Sequence, residues 1–564
     1  MFDKVDSAYP AIQRWEGAGI SLFNALENYL KLCTSLGNES MVDGAPPTYL
    51  AARIEAALGS LHTTLGQQLA RSQSALNQTR NQMLSPLHNF PEEVLSEIFI
   101  HVAFDPLNQS RRSGSHSTRD CVVDVHRAIH NLLAVCTLWR NVAINRGALW
   151  SIVPLSDKLK IPQDYKSILD RALHLHKGVE LNLFAIMHDD ATDISILANR
   201  VSQFRTVNIV NTPPHMIRSI LTTFTDWHGP NPLRLSQLSV HNQYNQSPLA
   251  EDYIMQSFSE QQSFNRLTKN LDLLQIKAAS LHWETIAFSA RLTTFRLQNV
   301  PLGLDVKLAA LLGALSSATQ LRELKIINVI TSRDSTPFQT LVGHSEIWLP
   351  NLKTFYTEGL YFNTLRVLLL SIRSRSHHMS FTLTPRSMKF HSLLSSRHED
   401  ITSDELCELL RHVPVHSLDL HRKNYLEPVL TAVELEKLIE VLPLLETLYI
   451  RTPRLDGDYC MVLERPLELN ISTLPSLVHL GFSCLIIMDP EAFRRMVESR
   501  SGSLQRVSLA KPYLNRDCAD DEEVELDIRE EEMIGWLGEN VPEYTRNEYY
   551  SGSPSFQDIF QERW

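Results

Sequence analysis

Cysteine, glycine and any surplus of positive charge are all scarce in this 564-residue chain. Its seven cysteines (Cys33, Cys121, Cys136, Cys407, Cys460, Cys484, Cys518) are odd in number and far apart. They form no Cys-x-x-Cys pair, so neither a disulfide framework nor a zinc set is expected. Reduced thiols in the cytosol or nucleus are the simplest reading. Gly and Pro make up 47 of 564 residues, below the usual share, which excludes collagen-like and low-complexity chains. The 53 Lys and Arg are outnumbered by 64 Asp and Glu, a formal charge of −11. No positive field exists to draw the chain onto nucleic acid or anionic membrane. The longest apolar runs, such as residues 367–370, fall far short of the roughly 20 residues a membrane span needs. The opening residues Met1-Phe2-Asp3-Lys4-Val5-Asp6-Ser7 lack the basic-then-apolar pattern of a secretory signal. A soluble protein of the cytoplasm or nucleus, with no nucleic-acid or membrane partner, is expected.

Catalytic signatures are missing too. No Gly-x-x-x-x-Gly-Lys-Ser/Thr phosphate loop occurs, and Gly17-Ala18-Gly19 does not follow a strand. Neither His-Glu-x-x-His nor Gly-x-Ser-x-Gly is found. The pairs His126/His130, His174/His176 and His377/His378 have no Cys or carboxylate at metal-ligand spacing, and His126/His130 read as a solvated helix face. No catalytic residue, metal or cofactor is expected, and the chain is not read as an enzyme.

Its length allows about three units. Residues 1–85 carry apolar positions at helical spacing (Ile20, Phe23, Leu26, Leu30) and, after a break at Gly44-Ala45-Pro46-Pro47, a stripe of Ile54, Leu58, Leu61, Leu65, Leu69, Leu76 and Met83. Pro86 ends it. The stripe predicts either a short coiled-coil contact or a helix folded onto its neighbour.

Residues 86–156 open Phe90-Pro91-Glu92-Glu93-Val94-Leu95-Ser96-Glu97-Ile98-Phe99. Proline fits the first helical turn and the two glutamates suit the positive end of the helix dipole, so a helix starts here. Val94, Leu95, Ile98, Phe99 and Val102 form its apolar face, with Ser96, Glu97 and His101 turned away. Residues 105–120 lack an apolar period and are expected to be an exposed loop. A second face resumes with Ile129, Leu132, Leu133, Cys136, Trp139 and Ala143 and closes at Leu149-Trp150. So few helices cannot build a large core, which leaves apolar surface for a partner. Residues 90–99, Val135-Cys136-Thr137-Leu138-Trp139-Arg140 and Leu149-Trp150 together resemble the F-box family. They differ from its pattern in having Phe90 where Leu is usual and 48 residues between Pro91 and Trp139. The resemblance implies docking on a Skp-family adaptor, and through it a cullin. Phe90, Pro91, Val94, Leu95, Ile98, Phe99, Val135 and Trp139 would touch the adaptor or frame that contact.

Over residues 165–510 a frame recurs, apolar-x-x-apolar-x-apolar, often followed by Asn. Examples are Phe204-x-x-Val207-x-Ile209-x-Asn211, Leu235-x-x-Leu238-x-Val240-x-Asn242, Leu292-x-x-Phe295-x-Leu297-x-Asn299 and Leu321-x-x-Leu324-x-Ile326-x-Asn328. Successive frames start 21 to 36 residues apart, except for one gap of 63 in which residues 379–383 are the candidate missing copy. A period near 30 means stacked strand–helix units, each unable to bury its apolar face alone. The pattern resembles the leucine-rich-repeat family in an irregular form. The expected fold is therefore α/β: a leucine-rich-repeat solenoid preceded by an N-terminal helical segment and a small all-α F-box module. Residues 511–564 hold nine acids and one Arg between Asp520 and Glu532, followed by an apolar cluster (Met533, Ile534, Trp536, Leu537) suited to a capping helix.

Taken together, the two resemblances imply the substrate-recognition subunit of an SCF-type E3 ubiquitin ligase of the fungal F-box kind, with an unknown target protein on the repeats. The alternative is a leucine-rich-repeat scaffold whose F-box-like helices only cap the solenoid.

Overall fold

Every frame read from the sequence becomes a strand with its apolar positions buried, apart from the partly buried Leu509. The computed structural model describes residues 9–84, 86–113, 118–156, 165–187, 194–242, 253–333, 346–392, 399–421, 428–452, 454–464, 474–483, 486–510, 533 and 535–547. Two compact units divide the chain: residues 1–92 with 136–138, and residues 93–135 with 139–564.

The first unit is helical. Helix α1 (Pro10–Val42) starts on a proline and ends at a turn where Gly44 takes φ 70°, the left-handed region that glycine enters without steric cost. Helix α2 (Pro47–Ala56) runs through a π-helical turn at Ala57–His62 into α3 (Thr63–Leu84). Tyr29 and His62 join the two arms, hydroxyl to Nε2 at 3.3 Å. No residue of α1, α2 or α3 is buried. Folding of the stripe onto its own neighbour would have covered Ile54, Leu58, Leu61, Leu69, Leu76 and Met83; all six are exposed.

The second unit begins with three helices: α4 (Glu92–Ser113), α5 (Thr118–Val135) and α6 (Thr137–Asn145). Part of the exposed loop expected over residues 105–120 is helical, because α4 continues through Pro106 to Ser113 and the next helix starts at Thr118; residues 114–117 lie outside the described residues. Pro106 removes one backbone donor, but the residues after it are tolerated in helices, and one lost bond does not end a helix of six turns. A 3-10 turn, Gly147–Trp150, closes the helical part. The Trp150 Nε1–H donates to the Ala143 carbonyl at 2.9 Å. Gly147 lies so close to the following loop that a Cβ would come within 2.2 Å of the His176 carbonyl oxygen, so only glycine fits.

From there the chain runs directly into one sheet of fourteen parallel strands in strict chain order. They are β1 (Ile152–Ser156), β2 (Leu181–Ile186), β3 (Phe204–Thr212), β4 (Gln237–Asn242), β5 (Leu273–Lys277), β6 (Thr294–Gln298) and β7 (Glu323–Ile327). Then follow β8 (Thr354–Glu358), β9 (His378–Leu383), β10 (Val415–Leu420), β11 (Thr447–Arg451), β12 (His479–Ser483), β13 (Arg506–Ala510) and β14 (Glu543–Asn547). Strand β9 is the missing copy. The sheet thus starts before residue 165 and ends after 510, the bounds expected from the sequence, because β1 and β14 lack the full apolar signature.

Frame positions such as Leu238, Val240, Leu274, Ile276, Leu418, Leu448 and Leu480 are fully buried. They share one hydrophobic cluster with the returning helices, among them α8 (Pro214–Thr225), which follows α7 (Tyr165–Leu175), α9 (Phe258–Thr268) and α10 (Asp305–Leu315). The later helices are α11 (Phe362–Ser371), α12 (Ser403–Leu410), α13 (Ala432–Glu440), α14 (Gly457–Leu463) and α15 (Pro490–Ser499). Reciprocal capping boxes start α9, α12 and α13 (Ser257/Glu260, Thr402/Glu405, Thr431/Glu434), satisfying two orphan amides at each start. Met533, Leu537 and Val541 join the same cluster at the C-terminal end. The acidic stretch before them and Ile534 lie outside the described residues.

The position after the frame explains three of the four asparagines; Asn242, in the same place, does not take the left-handed backbone. Asn211, Asn299 and Asn328 have φ of 51°, 54° and 49°, and the equivalent Ala278 and Gly359 have 52° and 64°. Asn and Gly are the residues that enter this left-handed region most readily. The turn lets each backbone N–H reach the next strand: Ala278 to Gln298 O at 2.9 Å, Asn299 to Ile327 O at 2.9 Å and Asn328 to Glu358 O at 2.8 Å. One-way parallel order, a period near 30 and helices on a shared core make this an irregular leucine-rich-repeat solenoid.

Candidate functional site

Two surfaces of the second unit can engage partners. The first lies on α4. Alternation around the helix puts Leu95 and Phe99 (each 1% exposed) into the small helical core with Ala103, Val122, Val125, Ile129 and Leu132. The rings of Phe99 and Trp139 pack 4.9 Å apart. Leu95 and Phe99 therefore hold the helices together, a position from which they would frame an adaptor contact rather than touch the adaptor; Trp139, half-buried, braces them. Val94, Ile98 and Val102 are 43%, 38% and 49% exposed and follow one another at intervals of four, an unpaired apolar stripe. Val135, at the end of α5, is 56% exposed, and in the first unit Phe90 and Pro91 are exposed as well. Ser96, expected to face away, is buried and donates to the Glu93 carbonyl at 2.9 Å. A helical Ser can bond back into its own turn, which the apolar pattern cannot show.

His126 is another correction. It is buried, its Nε2 has no hydrogen-bond partner among the described residues, and burial pushes the imidazole down to about 4, so it is neutral at physiological pH. The solvated face expected of His126 and His130 does not exist at His126, which is buried alongside Val122, Val125 and Ile129, whereas His130 is exposed.

The second surface is the sheet face opposite the helices. Register places the variable frame positions in rows, one of which runs Asn208, Ser239, Gln275, Arg296, Lys325, Tyr356 from β3 to β8. Charged and hydrogen-bonding side chains interlock along it. Arg296 bonds Glu323 at 3.1 Å and Lys325 lies 2.5 Å from the same carboxylate. Burial alone would raise Glu323, but the two cations hold it below the usual carboxylate range. Tyr356 donates to Glu358 at 2.8 Å and lies 3.1 Å from the Thr382 hydroxyl. Asp419 accepts from Arg451 through both oxygens, at 3.0 and 2.5 Å. Burial keeps the Asp419 carboxyl above its usual range even against that guanidinium. His479 links Tyr449 to Ser508 (Nε2 to Oγ at 2.9 Å), and burial followed by Arg506 pushes it down to about 4. This preorganised polar face has no catalytic constellation among the described residues. None of its members was named from the sequence, although most occupy the variable positions of the frames, with Glu358 and Arg451 directly after a frame, which is the signal that could have found them.

No family model matches the chain, and no curated protein matches it. Among solved structures it is similar to a chain of a TLR13–ssRNA13 complex, with TM-score 0.27 and 16% identity over 55% of this chain and 45% of that one. It is likewise similar to a chain of the mouse RP105/MD-1 complex, with TM-score 0.27 and 12% identity over 65% and 58%. The chain spans about half the length of the solved chains it matches.

Proposed function

We propose that this protein is the substrate-recognition subunit of an SCF-type ubiquitin ligase in the cytoplasm or nucleus. Helices α4 to α6 dock a Skp-family adaptor, and through it a cullin, while the polar sheet face holds a target protein. Catalysis belongs to other subunits. Tethering the target raises the effective concentration of its lysines beside the activated ubiquitin. The observation that carries this reading is the exposed stripe Val94, Ile98, Val102 on the first of three helices whose core residues are those of the F-box-like motif.

The 48 residues between Pro91 and Trp139 favour a second reading, a scaffold in which the helices only cap the solenoid. Co-purification of the full chain with a Skp-family adaptor separates the two. Val94→Asp with Ile98→Asp puts charges on exposed positions and leaves the core intact, so it abolishes capture while the melting temperature is unchanged. A wild-type chain that captures no adaptor, or a charged variant that captures it as well as wild type, refutes the ligase reading.

A further inference from the structure

A cleft of about 560 Å³ opens at the N-terminal edge of β8 to β11, away from both surfaces described above. Four imidazoles line it: His377 and His378 at the start of β9, His412 after α12, and His416 on β10. Arg373 and Arg375 complete its basic wall, and Glu446 is the single carboxylate among the lining residues. With neutral imidazoles the lining carries a net +1 (two guanidinium groups, one carboxylate); four protonated imidazoles would raise it to +5. This is a basic spot on a chain whose formal charge is −11.

The geometry is that of an unfinished charge cluster. The rings of His378 and His416 stack 5.0 Å apart, close enough that a charge on His416 opposes protonation of His378. The Met379 N–H donates to His416 Nδ1 at 3.3 Å, which leaves the proton of the neutral ring on Nε2. His378 Nε2 lies 3.8 Å from Glu446, and Ser374 Oγ 2.5 Å from His377 Nδ1. Nearby charges are otherwise committed: Arg373 to Glu346 at 3.0 Å, and Glu408 to Arg411 at 2.7 Å and His412 at 3.6 Å. Lys353 precedes Thr354, the β8 register partner of His378. Arg375 is exposed and has no ion-pair partner among the described residues. Burial, then His416, hold His377 and His378 below the ordinary imidazole value. Among the described residues no group of three or more His, Cys, Asp or Glu is arranged to hold a metal ion.

We propose that this cleft binds a small multivalent oxyanion, of polyphosphate or polycarboxylate type, through Arg375 and the His378–His416 pair, taking up protons as it does so. An anion held at the N–H edges of the two stacked rings, within reach of Arg375, supplies the countercharge that Glu446 alone does not, and lets both imidazolium groups exist together. Affinity then rises as the pH falls, by up to roughly tenfold per unit for each proton taken up.

Isothermal titration calorimetry of the full chain with inorganic pyrophosphate and with citrate, at constant ionic strength and at about pH 6 and about pH 8, tests this. Two buffers of different ionisation enthalpy count the protons. The expected result is binding at least tenfold tighter at the lower pH, with proton uptake. Arg375→Ala, an exposed change that leaves melting untouched, weakens binding roughly tenfold, and His416→Gln flattens the pH dependence. No heat at millimolar anion at the lower pH overturns the proposal, as does pH-independent binding, or unchanged binding by Arg375→Ala.

Discussion

Replacing Arg451 by Met isolates the contribution of the buried pair on β10 and β11. The side chains of Asp419 and Arg451 are only 9% and 14% exposed, and Met keeps most of the apolar stem while removing the guanidinium. Removing one partner of such a pair costs about 3–5 kcal/mol, because the other charge stays buried without compensation. The loss depends on pH in a direction the structure dictates. Burial already raises Asp419, with Arg451 opposing the rise, so in the variant the folded-state value climbs further. A carboxyl raised on folding contributes stability that is present below its unfolded value, about 4, and is lost as pH rises through the folded value. The deficit of the variant is therefore small below the wild-type folded value of Asp419 and grows by about 1.4 kcal/mol per pH unit above it, until the variant's carboxyl ionises as well. A long repeat array does not unfold in one step, so the readout is amide hydrogen exchange of peptides covering β10 and β11, variant against wild type at each pH. Protection in those strands falls by two orders of magnitude or more at pH 8, and Asp419→Asn added to Arg451→Met restores much of it. A loss of equal size at pH 5 and pH 8, or a double variant no better protected than the single one, refutes the reasoning.

Three further outcomes are expected. Gly359→Ala forces a Cβ to within 1.9 Å of the Asn328 Oδ1 at φ 64°, and loses about 1–2 kcal/mol from the left-handed backbone alone; Ala278→Asn, at φ 52°, gains up to about 1 kcal/mol, and exchange at β5 and β8 reports both. His126 stays neutral in the folded chain down to about 4, while the unfolded chain protonates near 6.5, so acidification through that window removes about 3 kcal/mol from the helical module. His126→Leu abolishes that acid sensitivity, as seen in exchange of α5 between pH 7 and pH 4.5. Leu448→Ala, at a fully buried frame position, costs about 2–5 kcal/mol and loosens β10 to β12 before the first repeats.

Much of the solenoid is legible in the chain, because burial on one side of a strand demands apolar residues at every second position and the repeat supplies that demand ten times over. Phe204, Leu238, Leu274 and Leu418 are recognisable for that reason. Strands β1, β2 and β14 were missed since their apolar residues do not follow the frame: in β1 and β2 both faces are buried, so no alternation is left to see. The helical module was legible in its order of apolar positions but not in their direction. Val94 and Leu95 are equally apolar neighbours, and only the packing of α5 against α4 decides that Leu95 is covered while Val94 stays in water.

By itself, then, the sequence determined the parallel, one-way stacking of strand–helix units. It also determined the left-handed turns at Asn211, Asn299 and Asn328, since these follow from local periodicity and backbone preference. Tertiary structure alone decided which side chains meet across repeats. Asp419 finds Arg451 and His378 finds His416 at sequence separations of 32 and 38 residues, set by strand register and loop length. Charge pairing and ring stacking act over a few ångströms, and nothing in a linear pattern encodes that distance until neighbouring strands lie side by side.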